Sequence, residues 1–514
     1  MIVGLTGASG NMGLCVVEEL IKCDFIEKIR ILGHSKKGIK RIKKVAKRQL
    51  DKIEFFSGSI SNPDYIDSFV NGVDYVINMA AVIPPLSDKR PDLAIQANEI
   101  GPKVLCESIS KIKTNQPKLI HISTMGTYGD RNEKHLFGEV GDPLICSPFD
   151  IYSLTKVRGE FYVLESDVKT WAVIRQTAVL YDELMFKNIS DGLMFHTCFN
   201  APLEWVTAHD SAVLIKNILE KDRRNELNSK NFWLHTFNLG GGEINRVTGF
   251  ETLDLGFKII GASTYQFFDT NYNALRNFHG MWFSDGQKLE DLFHYQHDTI
   301  YDFWKSVLKK NPYFRLARIL PKKWLKALII KPLLKDSNAP FYWVANNDIA
   351  RVDAYCGGID KFNSIPKKWE DFPLLCHNNF PGVDIDYEEL KKHPTYLEHG
   401  FDLHKNFEEV TIEDLKSVAK AHGGKLLTEN FVKGDVYKKV LWENQDGVRF
   451  EARPYTILGC GHWYSISYEK YAWDYDRLAK KDKILAQIWY DAHEKDENKF
   501  YFYDENFDAK EETI

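Results

Sequence analysis

The sequence predicts an α/β chain built on a doubly wound parallel sheet, and three observations carry the prediction. The apolar run over residues 1–6 enters a turn with glycines at Gly7, Gly10 and Gly13. Further short apolar strands follow at residues 29–32 and 74–78, spaced as β-α-β crossovers require. Tyr152 and Lys156 then stand four residues apart on a predicted helix over 151–164, and so share a face.

Each element has its own reason. A buried strand, a tight glycine turn and a helix amino terminus (about residues 13–21) together make a pyrophosphate site. The glycines admit positive φ and close backbone approach, while free N–H groups and the helix dipole face the anion. The spacing is G-x-x-G-x-x-G rather than G-x-G-x-x-G, so its weight comes from its place directly after a strand. At the end of the second strand an NAD site usually carries Asp or Glu to grip the adenosine 2′-hydroxyl. Here His34, Ser35, Lys36 and Lys37 offer donors and positive charge suited to a 2′-phosphate, which favours NADP(H) and leaves NAD(H) open. The basic stretch that follows (Lys40 to Arg48) reads as a solvated helix face.

Composition bounds the rest. The 514 residues suggest roughly two to four domains. With 44% hydrophobic and 27% charged residues and a net charge of −5, the chain reads as globular and without broad attraction to nucleic acid or anionic membrane. Eight scattered cysteines with no C-x-x-C pair argue against a disulfide framework and a zinc site, and fit a reducing cytoplasm. No apolar run reaches the roughly 18 residues of a membrane span. The glycine turn begins so early that no signal peptide is expected.

The motifs resemble, in order, those of the extended short-chain dehydrogenases/reductases, the NAD-dependent epimerase/dehydratase group. Residues 6–13 are similar to its T-G-x-x-G-x-x-G turn, Asn78-Met79-Ala80-Ala81 to N-x-A-A, and Asn98-Glu99-Ile100-Gly101 to N-x-x-G. Residues 121–129 resemble the serine/threonine segment ending in Y-G, Tyr152 to Lys156 is Y-x-x-x-K, and residues 237–242 resemble Y-N-L-G-G-G. The resemblance covers roughly residues 1–300. It implies a Rossmann-type NAD(P)-binding domain with a substrate lobe drawn mainly from 178–210 and 243–300.

By that resemblance the cofactor site comprises Gly7, Ser9, Gly10, Asn11, Met12, Gly13, His34, Ser35, Lys36, Ser59, Ile60, Met79, Ala80, Ala81, Asn98, Tyr152 and Lys156. Ser59 replaces the aspartate of the family's G-D turn, and Asn98 is expected to bond backbone beneath the site. The catalytic set is Tyr152, Lys156 and Thr124. A tyrosine hydroxyl near pKa 10 is a poor base, so the Lys156 ammonium and a positive nicotinamide are expected to lower it. Arg175 is expected to be structural and Asp210 a loop anchor. Substrate is expected against Val82, Pro84, Thr124, Met125, Gly126 and Thr177, with no metal.

The family's 4,6-dehydratases carry Asp-Glu after the threonine, where this chain has Met125-Gly126, which disfavours dehydration. A 4-epimerase and a simple reductase both survive. A nucleotide-activated sugar is the first substrate class. The apolar Ile83-Pro84-Pro85-Leu86 segment and an altered stretch after Arg175 suit a non-sugar ketone or aldehyde as the alternative. A cofactor-sensing scaffold without turnover is the reading from a different class.

The second half carries fewer signals. Residues 301–404 form a helical or irregular accessory region. Within it, 315–335 is basic and apolar, which fits contact with a membrane surface or, the favoured reading, packing on the protein with lysines outward. Residues 405–514 form a small α+β module that weakly resembles a zinc-ribbon repeat. Its ligand positions hold Asn444, Val448 and Tyr464, which cannot bind structural zinc. A small-molecule substrate, a cytoplasmic location and a homo-oligomer are expected.

Overall fold

Seven parallel strands form one sheet: β1 (Ile2–Thr6), β2 (Lys28–Leu32), β3 (Ile53–Phe56), β4 (Tyr75–Asn78), β5 (Lys118–Thr124), β6 (Trp171–Gln176) and β7 (His235–Leu239). Their spatial order is β7-β6-β5-β4-β1-β2-β3. This computed structural model describes residues 1–33, 35–184, 192–376, 383–463 and 472–503. His34 and Tyr464, both weighed in the sequence, lie outside the described residues, as does the chain after residue 503.

The strands are apolar on both faces (Val3, Leu5, Ile77, Ile120 and Ile174 are buried), as a sheet covered by helices on two sides requires. Helices Asn11–Ile21 and Ala208–Arg223 cover one face through Val16, Val17, Leu214 and Ile218. Pro63–Val70, Gly101–Lys111 and Ile151–Leu164 cover the other through Phe69, Leu105 and Val163. Thr6 pairs with Leu32 on one side and Asn78 on the other, aligning the carboxyl ends of the strands. The chain runs outward from β1 to β3, then returns to β4 on the opposite side. That reversal opens a crevice between the ends of β1 and β4.

Residues beyond 300 are built into this frame. The core under Phe69 and Val163 continues into Val410, Leu415, Trp442 and Tyr455. The Tyr437 hydroxyl donates to the Leu234 carbonyl (2.8 Å), and the Tyr455 hydroxyl accepts the Thr236 N–H (2.9 Å). Together they cover the outer edge of β7, which would otherwise offer unpaired backbone to other chains. Strands Lys425–Leu426, Val440–Glu443 and Arg449–Ala452 form a small antiparallel sheet. At its turn the Asn444 amide oxygen accepts the N–H groups of Asp446 (2.9 Å) and Val448 (2.8 Å). A side-chain amide thus closes the turn where the resembled repeat would hold a metal ligand.

A second large core joins Phe195 and Phe268 of the substrate lobe to Trp343, Tyr355 and Trp473. It lies over the start of the Ile151–Leu164 helix, where the Phe149 ring is 6.5 Å from Tyr355 and 5.8 Å from Trp473. The basic, apolar segment departs from the favoured reading. Ile330 is buried and Leu325, Leu333 and Leu334 pack partly on the core, but Leu316, Ile319, Trp324 and Leu328 are exposed. Among the described residues no helix is long and apolar enough to cross a membrane.

Candidate active site

A cleft of about 520 Å³ occupies the β1/β4 crevice. Gly7, Ser9, Gly10, Ser35, Ser59, Ile60, Met79, Ala80 and Ala81 line it, and so does Val82, which the sequence reading placed at substrate. Gly7 has φ +68°, and a Cβ there would meet the Met79 carbonyl at 2.5 Å; at Gly13 a Cβ would lie 2.4 Å from the Gly7 carbonyl. The turn therefore needs glycine at both ends. The Thr6 hydroxyl donates to Asn78 Oδ1 (2.6 Å) and accepts the Ala80 N–H (3.1 Å), which pins the two sides of the crevice together.

Seven of the described expected cofactor residues do not line the cleft, namely Asn11, Met12, Gly13, Lys36, Asn98, Tyr152 and Lys156. Gly13 serves packing, Met12 leans on the core beneath, and Lys36 is exposed at the first turn of the Lys36–Ala46 helix. The Asn11 amide oxygen accepts Arg41 Nη2 (2.9 Å), while Arg41 Nη1 donates to the Ser9 carbonyl (2.9 Å). Arg41 is thus not part of a purely solvated face, as its basic stretch suggested. It braces the glycine turn beside Ser9, and no local pattern in the sequence separates it from its basic neighbours.

The Ile151–Leu164 helix begins at a second, inner cavity, which its cap residue Asp150 lines. Tyr152, Lys156 and Thr124 are not among the residues lining this cavity or the cleft. Asp150 caps the helix, accepting the Ser153 N–H (2.9 Å) and the Ser153 hydroxyl (2.5 Å). Tyr152, half-buried, is hydrogen-bonded to the Thr124 side chain. Burial pushes the Tyr152 phenol up to about 12, the Asp150 carboxylate adds to the rise, and the bond to Thr124 opposes it. Lys156 is 2% exposed and donates to the Ile122 carbonyl (2.6 Å). Burial pulls its ammonium down to about 8, against the opposing pull of Glu160. The expectation that Lys156 lowers Tyr152 is therefore corrected. Lys156 is not among the groups that shift Tyr152 here: the loss of hydration outweighs the Thr124 hydrogen bond, which is the one lowering influence.

The lowered Lys156 value makes a stability prediction. The unfolded chain keeps this proton up to an ordinary lysine value of 10.5, whereas the folded chain releases it near 8. The penalty for burying the charge is present below pH 8 and is relieved as pH rises toward 10.5. Lys156→Met should be favoured over the wild type most at neutral pH, and that advantage should shrink by about 2 kcal/mol from about pH 8 to pH 9.5. Urea unfolding at both pH values checks this; a pH-independent difference would contradict it.

Two expected substrate residues face elsewhere. Met125 is buried with Tyr128, Met281 and Phe283. The buried Thr177 hydroxyl lies 2.9 Å from the Met125 sulfur and donates to the Glu204 carbonyl. Neither lines either cavity, because the β5 and β6 ends turn these side chains into the core. A Cβ at Gly126 would sit 2.3 Å from the Ser153 hydroxyl, so a side chain at this position would have to displace that hydroxyl from Asp150.

The inner cavity, about 250 Å³, is lined by Pro84, as expected, and by Phe149, Asp150, His279, Arg351 and Tyr355 among others. His279 Nδ1 lies 3.2 Å from Asp150 Oδ2. Asp88, also on its wall, is pushed up to about 6 by burial and then by Asp150, while burial brings His196 down to about 4. Of these residues the sequence pointed to Pro84 and, through the segments read as substrate lobe (178–210 and 243–300), toward His196 and His279. Arg351, Tyr355 and Tyr503 come from stretches without a motif.

Residues 3–174 match the family model described as the NAD dependent epimerase/dehydratase family. The match covers about a third of the chain. A curated relative, a UDP-glucose 4-epimerase of Rickettsia canadensis (strain McKiel), is 28% identical over 124 residues, or 23% of this chain. The chain spans about a third (35%) of that relative's length. Among solved structures, a UDP-glucuronic acid 4-epimerase from Bacillus cereus in complex with NAD is similar at 19% identity, covering 62% of this chain and 100% of its own, with a TM-score of 0.44. A dTDP-glucose 4,6-dehydratase from Bacillus anthracis in complex with NAD is similar at 19% identity, covering 61% and 98%, with a TM-score of 0.48.

Asn98, and Arg175 on β6, are scaffold. Asn98, fully buried, accepts the Val82 N–H (2.8 Å) and donates to the Val82 carbonyl (3.0 Å) and to Thr155 (3.1 Å). It holds the cleft wall to the Ile151–Leu164 helix without lining the cleft. Arg175 donates to Glu160 (2.6 Å), the Tyr128 hydroxyl (2.8 Å) and the Cys460 carbonyl (2.6 Å). Asp210, also buried, accepts the N–H groups of His297 (3.1 Å) and Asp298 (2.9 Å), the anchoring role expected of it.

Proposed function

We propose that this protein is an NADP(H)-dependent oxidoreductase or epimerase acting at a hydroxyl or carbonyl carbon, with Tyr152 as its proton-transfer residue. The observation that carries the proposal is the hydrogen bond between Tyr152 and Thr124 at the start of a helix whose cap residue, Asp150, lines the inner cavity. A nicotinamide bound in the cleft supplies or receives the hydride. Thr124 orients the reacting oxygen, and Tyr152 gives a proton to a carbonyl or takes one from a carbinol. Lys156, charged at neutral pH, holds the ribose side of the site. The carboxylates that dehydration needs are absent at Met125 and Gly126, and the crowding at Gly126 supports their exclusion.

The substrate is a nucleotide-activated sugar, in line with the relative named a UDP-glucose 4-epimerase. A second reading, a carbonyl reductase on a less polar metabolite, is favoured by the apolar and aromatic residues (Phe149, Met194, Phe278, Tyr355) around the small inner cavity. The eight cysteines are all unpaired, which suits a reducing cytoplasm.

The preference for NADP(H) rests on Ser35 in the cleft wall, Lys36 beside it, Arg41 behind Ser9, and the lack of an acidic residue among those lining the cleft. Titration by nucleotide fluorescence should find NADPH bound more tightly than NADH. Lys36→Glu should narrow or invert that ratio. Equal binding of both cofactors, unchanged by the substitution, would count against it. Incubation with a panel of nucleotide sugars and ketones separates the two substrate readings: epimerisation leaves no net cofactor change, whereas reduction consumes NADPH.

A further inference from the structure

The segment over residues 309–335 carries nine Lys and Arg and no Asp or Glu, in a chain whose net charge is −5. It folds as Pro312–Arg318, Lys322–Leu325, Lys326–Ile330 and Lys331–Leu333, short helical turns in succession. Its inner side is fixed to the protein. Ile330 is buried, Leu325 and Leu333 pack on the core, and Lys322 donates to the Ile260 carbonyl (3.0 Å). The outer side should then be polar, as on an ordinary amphipathic helix. It is not: Ile319 is 81% exposed, Leu328 74%, Trp324 68% and Leu316 62%.

These four side chains form an apolar surface beyond what the fold itself buries. Around them Arg315, Lys323, Lys331 and Lys335 are exposed and make no hydrogen bond or ion pair among the described residues. Soluble proteins rarely leave adjacent large apolar groups in water without a use for them. A surface segment that combines exposed apolar groups, exposed cations and a tryptophan matches the chemistry of a bilayer interface with anionic headgroups. The apolar groups enter the acyl boundary, the indole sits at headgroup depth, and the lysines extend to phosphate. An acidic protein partner would satisfy the cations but leave Ile319, Trp324 and Leu328 without an apolar counterpart.

We infer that residues 312–335 form a peripheral docking surface for an anionic lipid bilayer. The inference stands on this surface alone and does not depend on the proposed reaction. The test uses the full chain with vesicles of phosphatidylglycerol and phosphatidylcholine, against vesicles of phosphatidylcholine only, in a sedimentation assay at low and high salt. Binding to the anionic vesicles, weaker at high salt and much weaker to neutral ones, is expected. Lys323→Glu/Lys331→Glu should lower the anionic-vesicle affinity by at least about 25-fold, taking about fivefold per cation. Ile319→Ser/Leu328→Ser should lower it with the cations intact, and an unchanged thermal transition would establish that both variants fold. No difference between the two vesicle types at low salt would overturn the inference. So would lipid-free self-association, seen by sedimentation velocity, that the serine substitutions abolish, since the surface would then be the contact between two copies of the chain.

Discussion

Tyr152→Phe is expected to slow turnover by about 10²–10⁴-fold while leaving NADPH binding largely unchanged, because the substitution removes one proton donor and little packing. The direction of the pH dependence follows from the phenol's position. Burial pushes it up to about 12, so at neutral pH it keeps its proton. The carbonyl-reducing direction can use that proton at once and should vary little from about pH 7 to pH 9. The carbinol-oxidising direction needs the phenolate, whose fraction grows about tenfold per pH unit in that range. Opposite behaviour, with oxidation flat and reduction rising, would mean that another group carries the proton.

The largest stability effect is expected at the Arg175–Glu160 pair. Both side chains are fully buried, and Arg175 also ties Tyr128 on the segment after β5 to the Cys460 carbonyl. Burial alone would raise the Glu160 carboxyl. The Arg175 guanidinium, with His462 at 3.1 Å, instead holds it well below the usual carboxylate range. Arg175→Met leaves that carboxylate in the interior without its main partner and should cost about 3–5 kcal/mol. The double variant Glu160→Gln/Arg175→Met should recover part of the loss, because no isolated charge remains. Urea unfolding checks both, and a single-variant loss under about 1 kcal/mol would contradict the argument. In the wild type the pair's contribution is present above the ordinary carboxylate range and disappears as acid protonates Glu160.

What the sequence could express was local chemistry at fixed spacing. Gly7, Gly10 and Gly13 are legible because a strand-to-helix turn imposes glycine at positions a few residues apart, and the turn has the φ and contacts that the spacing implied. Tyr152 and Lys156 are legible because a helix turn alone puts them on one face. The same spacing says nothing of solvation, so the burial that raises Tyr152 and lowers Lys156 was out of reach. Met125 and Thr177 illustrate a second limit. A motif fixes where a strand ends but not which way the next side chain turns, and both turn into the core. The inner cavity was least legible. Arg351, Tyr355 and Tyr503 reach Asp150 from some 200 residues or more away, through packing of Trp343 and Trp473 that has no period or motif.

The account's central claim is that hydride moves between nicotinamide and substrate while Tyr152 moves the proton. Rapid mixing of the protein and NADP+ with the nucleotide-sugar and carbinol panel, followed by reduced-nicotinamide absorbance and product analysis, tests it most directly. The account predicts reduced nicotinamide on mixing, transient for an epimerase and lasting for a net oxidation, and its loss in Tyr152→Phe. Product formed while the cofactor stays oxidised throughout, or a Tyr152→Phe variant that turns over at the wild-type rate, would contradict it.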